Sequence, residues 1–368
     1  MDWGQDGRLY GPQWFTGEVV SLNVDTGERR IEATGFTTPA AIKFNSQGEL
    51  HVLDTATGEV IKVTGENKQV IATLEPGLDN FAFDENDTIF VSSFADGFIK
   101  RVNADGSVTT LQPGGMAHPG GLQVAQDIVW VADLHVVRGI DRVSGKEVIT
   151  QRNIVGVGDM GGAMNLSVDG DHLVLTSWFD GDVRVWNPNT QRRIEHYPQL
   201  AGPVAAVRYM GKMAIAEHGK GAVTLYADGE QTVLIDGLPA PTGLLAQQGA
   251  LYVSDRERGQ ILMIAQSGKR LSEPRVVARD LQSPEGFVMS KKGFVVLEAE
   301  IGKLVLVNAE GSRQVLATLP PGSKGAPGQP PSQVFNGVTI DDAGHLYVTA
   351  ETSRVLYRLD ASWQRASE

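Results

Sequence analysis

The feature that most limits what this chain can become is a unit of about 40 residues that recurs from one end to the other. It shows most plainly as "PAAIKFNSQGELHVLD" from Pro39, "LDNFAFDENDTIFVSS" from Leu78 and "FNGVTIDDAGHLYVTA" from Phe335. Further copies start at Pro119, Met164, Ala205, Pro241 and Pro284, and residues 1–38 match from the middle of the opening strand onward. Each copy has an alternating apolar stretch, a polar turn, and a second stretch ending in a small or acidic residue. A strand entered through glycine follows, as in "GDVRVWNPNT" and "GQILMIAQSG", and then a short fourth strand. Asp-Gly and Ser-Gly pairs at the turns tolerate positive φ and suit hairpins between antiparallel strands. No segment carries a helical period over ten or more residues.

A lone four-stranded sheet cannot bury both faces, so such units must stack radially. The repeat therefore predicts an all-β chain, a β-propeller of four-stranded antiparallel blades, formed as one domain over residues 1–368. Nine repeats are visible, the first short of most of its inner strand and the last stopping after its third, so eight or nine blades are expected. The abrupt opening inside a repeat reads as a truncated or misplaced start. One insertion, "PPGSKGAPGQPPSQV" at 320–334, is too rich in proline and glycine to be a strand and is expected to loop over the axial opening.

Composition narrows the function classes. Hydrophobic residues make up 41% and charged residues 21%, ordinary for a folded soluble protein. With no cysteine, disulfides, thiolate metal sites and cysteine nucleophiles are excluded together. A formal net charge of −12 disfavours nucleic acid as a partner. No apolar run approaches the length of a membrane span. The expectation is a soluble protein, cytoplasmic or periplasmic, with a monomer as the default state. "GVGDMG" at 156–161 matches a dinucleotide-binding spacing, but a strand follows where that fingerprint needs a helix, so Gly156, Gly158 and Gly161 read as loop glycines.

The motif P-x-G followed by alternating apolar residues, clearest at Pro284 to Val296 and Pro241 to Val253, resembles the calcium-dependent propellers of the senescence marker protein/gluconolactonase superfamily. Streptogramin lyase and NHL-repeat propellers look similar. In the gluconolactonase-like enzymes the residue before the glycine often points into the axial pocket and binds one divalent ion. That position reads Ala40, Asp79, Gly120, Met164, Ala205, Thr242, Glu285 and Asn336 here. The resemblance thus implies a divalent ion, Ca²⁺ by its preference for oxygen donors, held by Glu285, Asn336 and Asp79. The family's small lactonases have six blades, and this chain has more repeats.

A second ring comes from the ends of the second strands: Asp54, Ser93, Asp133, Ser177, Glu217, Asp255 and Glu298. Close by in sequence stand His135, His218, Arg256, Glu300 and Glu351, with Trp14, Phe94 and Trp178 as apolar walls, while His118 precedes an inner strand. Convergent polar groups among aromatics describe a small-molecule pocket. Glu217 with His218, or Asp133 with His135, supplies candidate bases, and Asp255, Arg256, Glu298 and His118 candidate substrate contacts. The expected activity is metal-assisted hydrolysis of a lactone or ester. Its rivals are a lyase resembling streptogramin lyase, and a non-catalytic binding propeller of the NHL type.

Overall fold

Local turn chemistry builds the sheets. Asp228 and Gly229 (φ 52° and 80°) join Ala222–Ala227 to Glu230–Ile235, and Ser267 and Gly268 (φ 49° and 78°) join Gln260–Gln266 to Lys269–Ala278. Two successive left-handed residues give a turn whose twist matches that of the paired strands. The computed structural model describes residues 1–322, 335–350 and 353–365. Within them the strands form nine antiparallel sheets, eight of four strands and a last one of three, each built from strands adjacent in sequence. The chain is a β-propeller by its blades.

Burial follows the strand's place in each blade. The second strand of the seventh blade, Ala250–Asp255, is buried at every residue, whereas outer strands such as Arg192–Tyr197 are mostly exposed. Inner blade strands are covered on both faces by neighbouring blades, which is why they read as near-continuous apolar runs. Ile215, Leu251, Ile264 and Leu304 are fully buried, each contributing about 2 kcal/mol of transfer free energy.

The chain divides into two compact units, Met1–Ala117 with Arg152–Gly158, and His118–Gln151 with Asp159–Glu368. The first holds three blades and the second six.

In the six-blade unit the inner strands Leu122–Ala125, Asn165–Asp169, Pro203–Tyr209, Pro241–Gln247, Pro284–Ser290 and Val338–Ile340 neighbour one another in order, and the last meets the first. Gln123 Nε2 and the Val124 amide each donate to Thr339 Oγ1 at 3.3 Å, and Thr349 Oγ1 donates to the Gly120 carbonyl at 2.6 Å. On the same seam Arg142 Nη1 lies 3.3 Å from Asp341 Oδ2. Burial alone would raise the Asp341 pKa, but hydrogen bonds from His345 and Tyr347 hold it below its ordinary value.

Close approach at the axis requires the motif's glycine. A β-carbon on Gly286 would come within 2.8 Å of Gly337 Cα, and one on Gly337 within 3.1 Å of Gly121 Cα. No side chain fits there without moving backbone.

Candidate functional site

The acids ending the second strands have a common role, and it is structural. Four of them accept an amide N–H from the connection that enters their own blade. Asp54 accepts from Thr37 (2.6 Å) and Thr38 (3.0 Å), Glu217 from Ala201 (2.9 Å), Glu298 from Gln282 (2.7 Å) and Asp133 from His118. Further donors complete them. Glu217 receives Lys220 Nζ and Tyr226 OH, both at 2.9 Å, Asp133 receives Arg138 Nε at 2.7 Å, and Glu298 receives Arg313. Asp255 caps the Arg258 amide at 3.2 Å. All are buried, Glu217, Asp133 and Asp255 completely.

A carboxylate wholly buried and saturated by donors cannot reach a substrate. Glu217 and Asp133, expected as bases, and Glu298, expected as a substrate contact, instead latch each blade's entry loop to its second strand, whereas Asp255 caps the Arg258 amide and its Oδ2 has no hydrogen-bond partner among the described residues. Burial, then the Glu217 carboxylate, pushes the Tyr226 phenol well above its ordinary range.

The residues one or two places past the ends of the second strands are less buried. Going round the six-blade unit, Trp178, His218 and Arg256 directly follow their second strands, and His135 and Glu300 stand one place further on, so that five successive blades each contribute one. Their backbones are pinned to the entry loops: His218 N donates to Gly202 O at 2.9 Å, Arg256 N to Ala240 O at 2.8 Å, and Ala299 N to Ser283 O at 3.3 Å. The Trp178 and His218 rings lie 5.6 Å apart by centroid, and Trp178 and Phe335 6.3 Å apart. Gly202, at φ 60°, makes the seat for Trp178, since a β-carbon there would come within 2.9 Å of the indole.

Beneath this rim runs an axial cavity of about 430 Å³. It is lined at the rim end by Thr242, Glu285, Phe335 and Asn336, and farther along by Gln247, Met289 and Ile340. Glu285 and Asn336 meet, as the motif predicts: the Asn336 backbone amide and Nδ2 each lie 3.1 Å from Glu285 Oε2. Arg256 Nε stands 3.5 Å from Glu285 Oε1.

Asp79, the third expected ligand, is an exposed residue of the three-blade unit and does not line this cavity. Trp14 and Phe94, expected as walls, also belong to that unit. Glu351 and residues 323–334 of the proline-rich stretch lie outside the described residues. Among the described residues no group of three or more His, Asp or Glu side chains could hold a metal ion.

Electrostatics favour uncharged imidazoles at the rim. Burial lowers the pKa of His218, with Glu257 pulling weakly the other way. Burial also lowers His135, helped by nearby His118 and opposed by Asp180. His218 Nδ1 is buried with no hydrogen-bond partner among the described residues. Sequence reasoning passed over Phe335 as a wall, although it opens the "FNG" motif, and Gly202 as the seat of Trp178, which no local pattern marks.

No family model matches the sequence, and no curated protein matches it. Among solved structures the chain is similar to a streptogramin B lyase, 14% identical over 75% of this chain and 93% of that one, with a TM-score of 0.39. It is similar also to virginiamycin B lyase from Staphylococcus aureus, 12% identical over 70% and 90%, TM-score 0.39. A third is the extracellular domain of a proposed one-component system from B. thetaiotaomicron, 11% identical over 96% of this chain and 57% of that one, TM-score 0.45. At these values the likenesses carry no information about activity.

Proposed function

We propose that the six-blade unit is an enzyme acting on a small molecule at the rim of its axial cavity, with the uncharged imidazole of His218 as the base. The observation that carries this reading is the setting of His218. The ring is half-buried beside Trp178, its pKa is lowered by desolvation, and its backbone is pinned to the loop that enters its blade. A base must hold a lone pair at working pH, and a depressed pKa secures that.

Between the two reactions open to such a base, the apolar walls favour elimination over hydrolysis. Trp178 lies beside the imidazole and Phe335 beside Trp178, an apolar flank that suits removal of a carbon-bound proton beside a carbonyl. The C–H electron pair then forms the new double bond. The C–O bond one carbon further on breaks, its pair leaves on the carboxylate oxygen, and the proton rests on His218. No water is consumed, so opening a ring leaves the mass unchanged, whereas hydrolysis of a lactone or ester adds one water.

A divalent cation is not part of this reading. Glu285 is the one carboxylate among the described residues at the rim end of the cavity lining, and it faces the guanidinium of Arg256 at 3.5 Å, a poor seat for a second cation.

The test is product mass from a panel of lactones and cyclic esters incubated with wild type and His218→Ala. Turnover without mass change, reduced about 10²-fold or more in the variant, is the expected result. A product heavier by one water identifies hydrolysis, and undiminished turnover by His218→Ala removes the base. Activity of the wild type should also hold level at neutral pH and fall on acidification, as His218 takes up a proton.

A further inference from the structure

We infer that Arg256 is the electrophile of this rim, receiving a planar oxygen acceptor of the substrate in the place where the resembling propellers use a divalent ion. This rests on the site proposed above and names its substrate class: a carbonyl or carboxylate compound bearing an apolar group.

The argument starts from open donors. Arg256 Nε and Nη2 are buried, and neither has a hydrogen-bond partner among the described residues. Buried guanidinium donors almost always find acceptors, because leaving them unmade costs the full desolvation penalty. The Glu285 carboxylate at 3.5 Å balances the charge without completing the hydrogen bonds. The side chain is held rather than wandering, being 16% exposed, with its backbone amide bonded to Ala240 O.

A guanidinium presents its donors as a rigid planar fork, which matches a carboxylate or the oxygen of an enolate better than a lone ammonium would. Next to it round the ring stand His218 and then Trp178, the latter leaning on Phe335 of the cavity wall. An acceptor on Arg256 with an apolar body toward Trp178 would bring its carbon-bound proton toward His218. As that proton leaves, charge builds on the acceptor oxygen, where the guanidinium is already placed to receive it.

The same geometry speaks against a metal at Glu285 and Asn336. A divalent ion there would compete with the guanidinium for one carboxylate, two cations against one anion in a buried setting.

Benzoate is the probe, since it joins a carboxylate to a flat ring, and its binding is read from tryptophan fluorescence against Trp178→Phe as the blank. Wild type should bind saturably. Arg256→Ala should weaken binding about tenfold or more, the size of one charge-assisted hydrogen-bond pair, and Arg256→Lys should lose less. Removing Arg256 strands a buried carboxylate, so the double variant Arg256→Ala/Glu285→Gln serves as the folded control and should bind as poorly as the single one. Calcium added to wild type in a calorimeter should give no binding heat. The inference is overturned if wild type does not bind benzoate, if the double variant binds it as wild type does, or if wild type takes up one Ca²⁺ that Glu285→Gln loses. Benzoate needs no turnover, so these outcomes judge Arg256 whether or not His218 proves to be a base.

Discussion

The three-blade and six-blade units are made from one repeat, yet their rims are used in opposite ways. In the three-blade unit the residue after the first blade's second strand, Trp14, donates its indole N–H to the Val155 carbonyl at 2.7 Å. On the third blade Asp96 receives Arg152 Nε and Nη2 at 3.0 and 2.8 Å. Both partners belong to the segment Arg152–Gly158, which ties the first blade to the third. In the six-blade unit Trp178, His218 and Arg256 hold the same rank along their blades, but their neighbours are one another and the cavity wall. A rim that binds its own chain becomes part of the fold, whereas one with unfilled donors is available for chemistry.

The sharpest way to break this contrast is to compare His218→Ala with Trp14→Ala. The first should cost about 10²-fold or more in kcat. The second should leave kcat within about twofold, the change expected of a surface substitution away from the site. Equal losses would mean that both rims serve catalysis.

Next in size is Glu217→Ala. Removing a fully buried carboxylate that accepts from Ala201, Lys220 and Tyr226 leaves the half-buried Ala201 amide and Tyr226 hydroxyl without their acceptor and should destabilise the unit by about 2–4 kcal/mol in urea denaturation. A loss of activity with no loss of stability would reinstate Glu217 as a reactive group.

Arg152→Ala probes the other side of the comparison. Its pair with Asp96 is partly exposed, so only about 1 kcal/mol is at stake. The readout is faster amide exchange in Leu9–Gln13 and Ile99–Val102, with Pro203–Tyr209 unchanged as the control. Unchanged exchange in the three-blade unit would show that the segment does not hold it.

The smallest effect is one of pH. Folding lowers the pKa of both His135 and His218, so the unfolded chain binds more protons on acidification. Stability from these groups is complete above an unfolded histidine pKa of about 6.5 and declines as pH falls toward and through the folded values. Thermal midpoints of His218→Gln measured between pH 7 and pH 5 should fall less steeply than those of wild type.

Much of this was legible before any coordinates. The repeat specified every blade, because alternation with period two and paired positive-φ turns are local properties. The convergence of Glu285 and Asn336 was legible too, since equivalent positions of stacked blades aim at one axis. The roles of Glu217 and Asp133 were not legible, because their partners are backbone amides about 15 residues away, and an acid that latches a loop is spelled like one that takes a proton.

By itself, then, the sequence determined the blade, its order of strands, its turns and the inward aim of the inner strands, all of which arise from contacts between neighbours along the chain. How many blades share a ring, which acids are sealed and which rim keeps open donors were decided by tertiary structure. Each depends on what backbone arrives from a distant blade, as Gly337 meets Gly121 across the closing seam, and no local pattern carries that information.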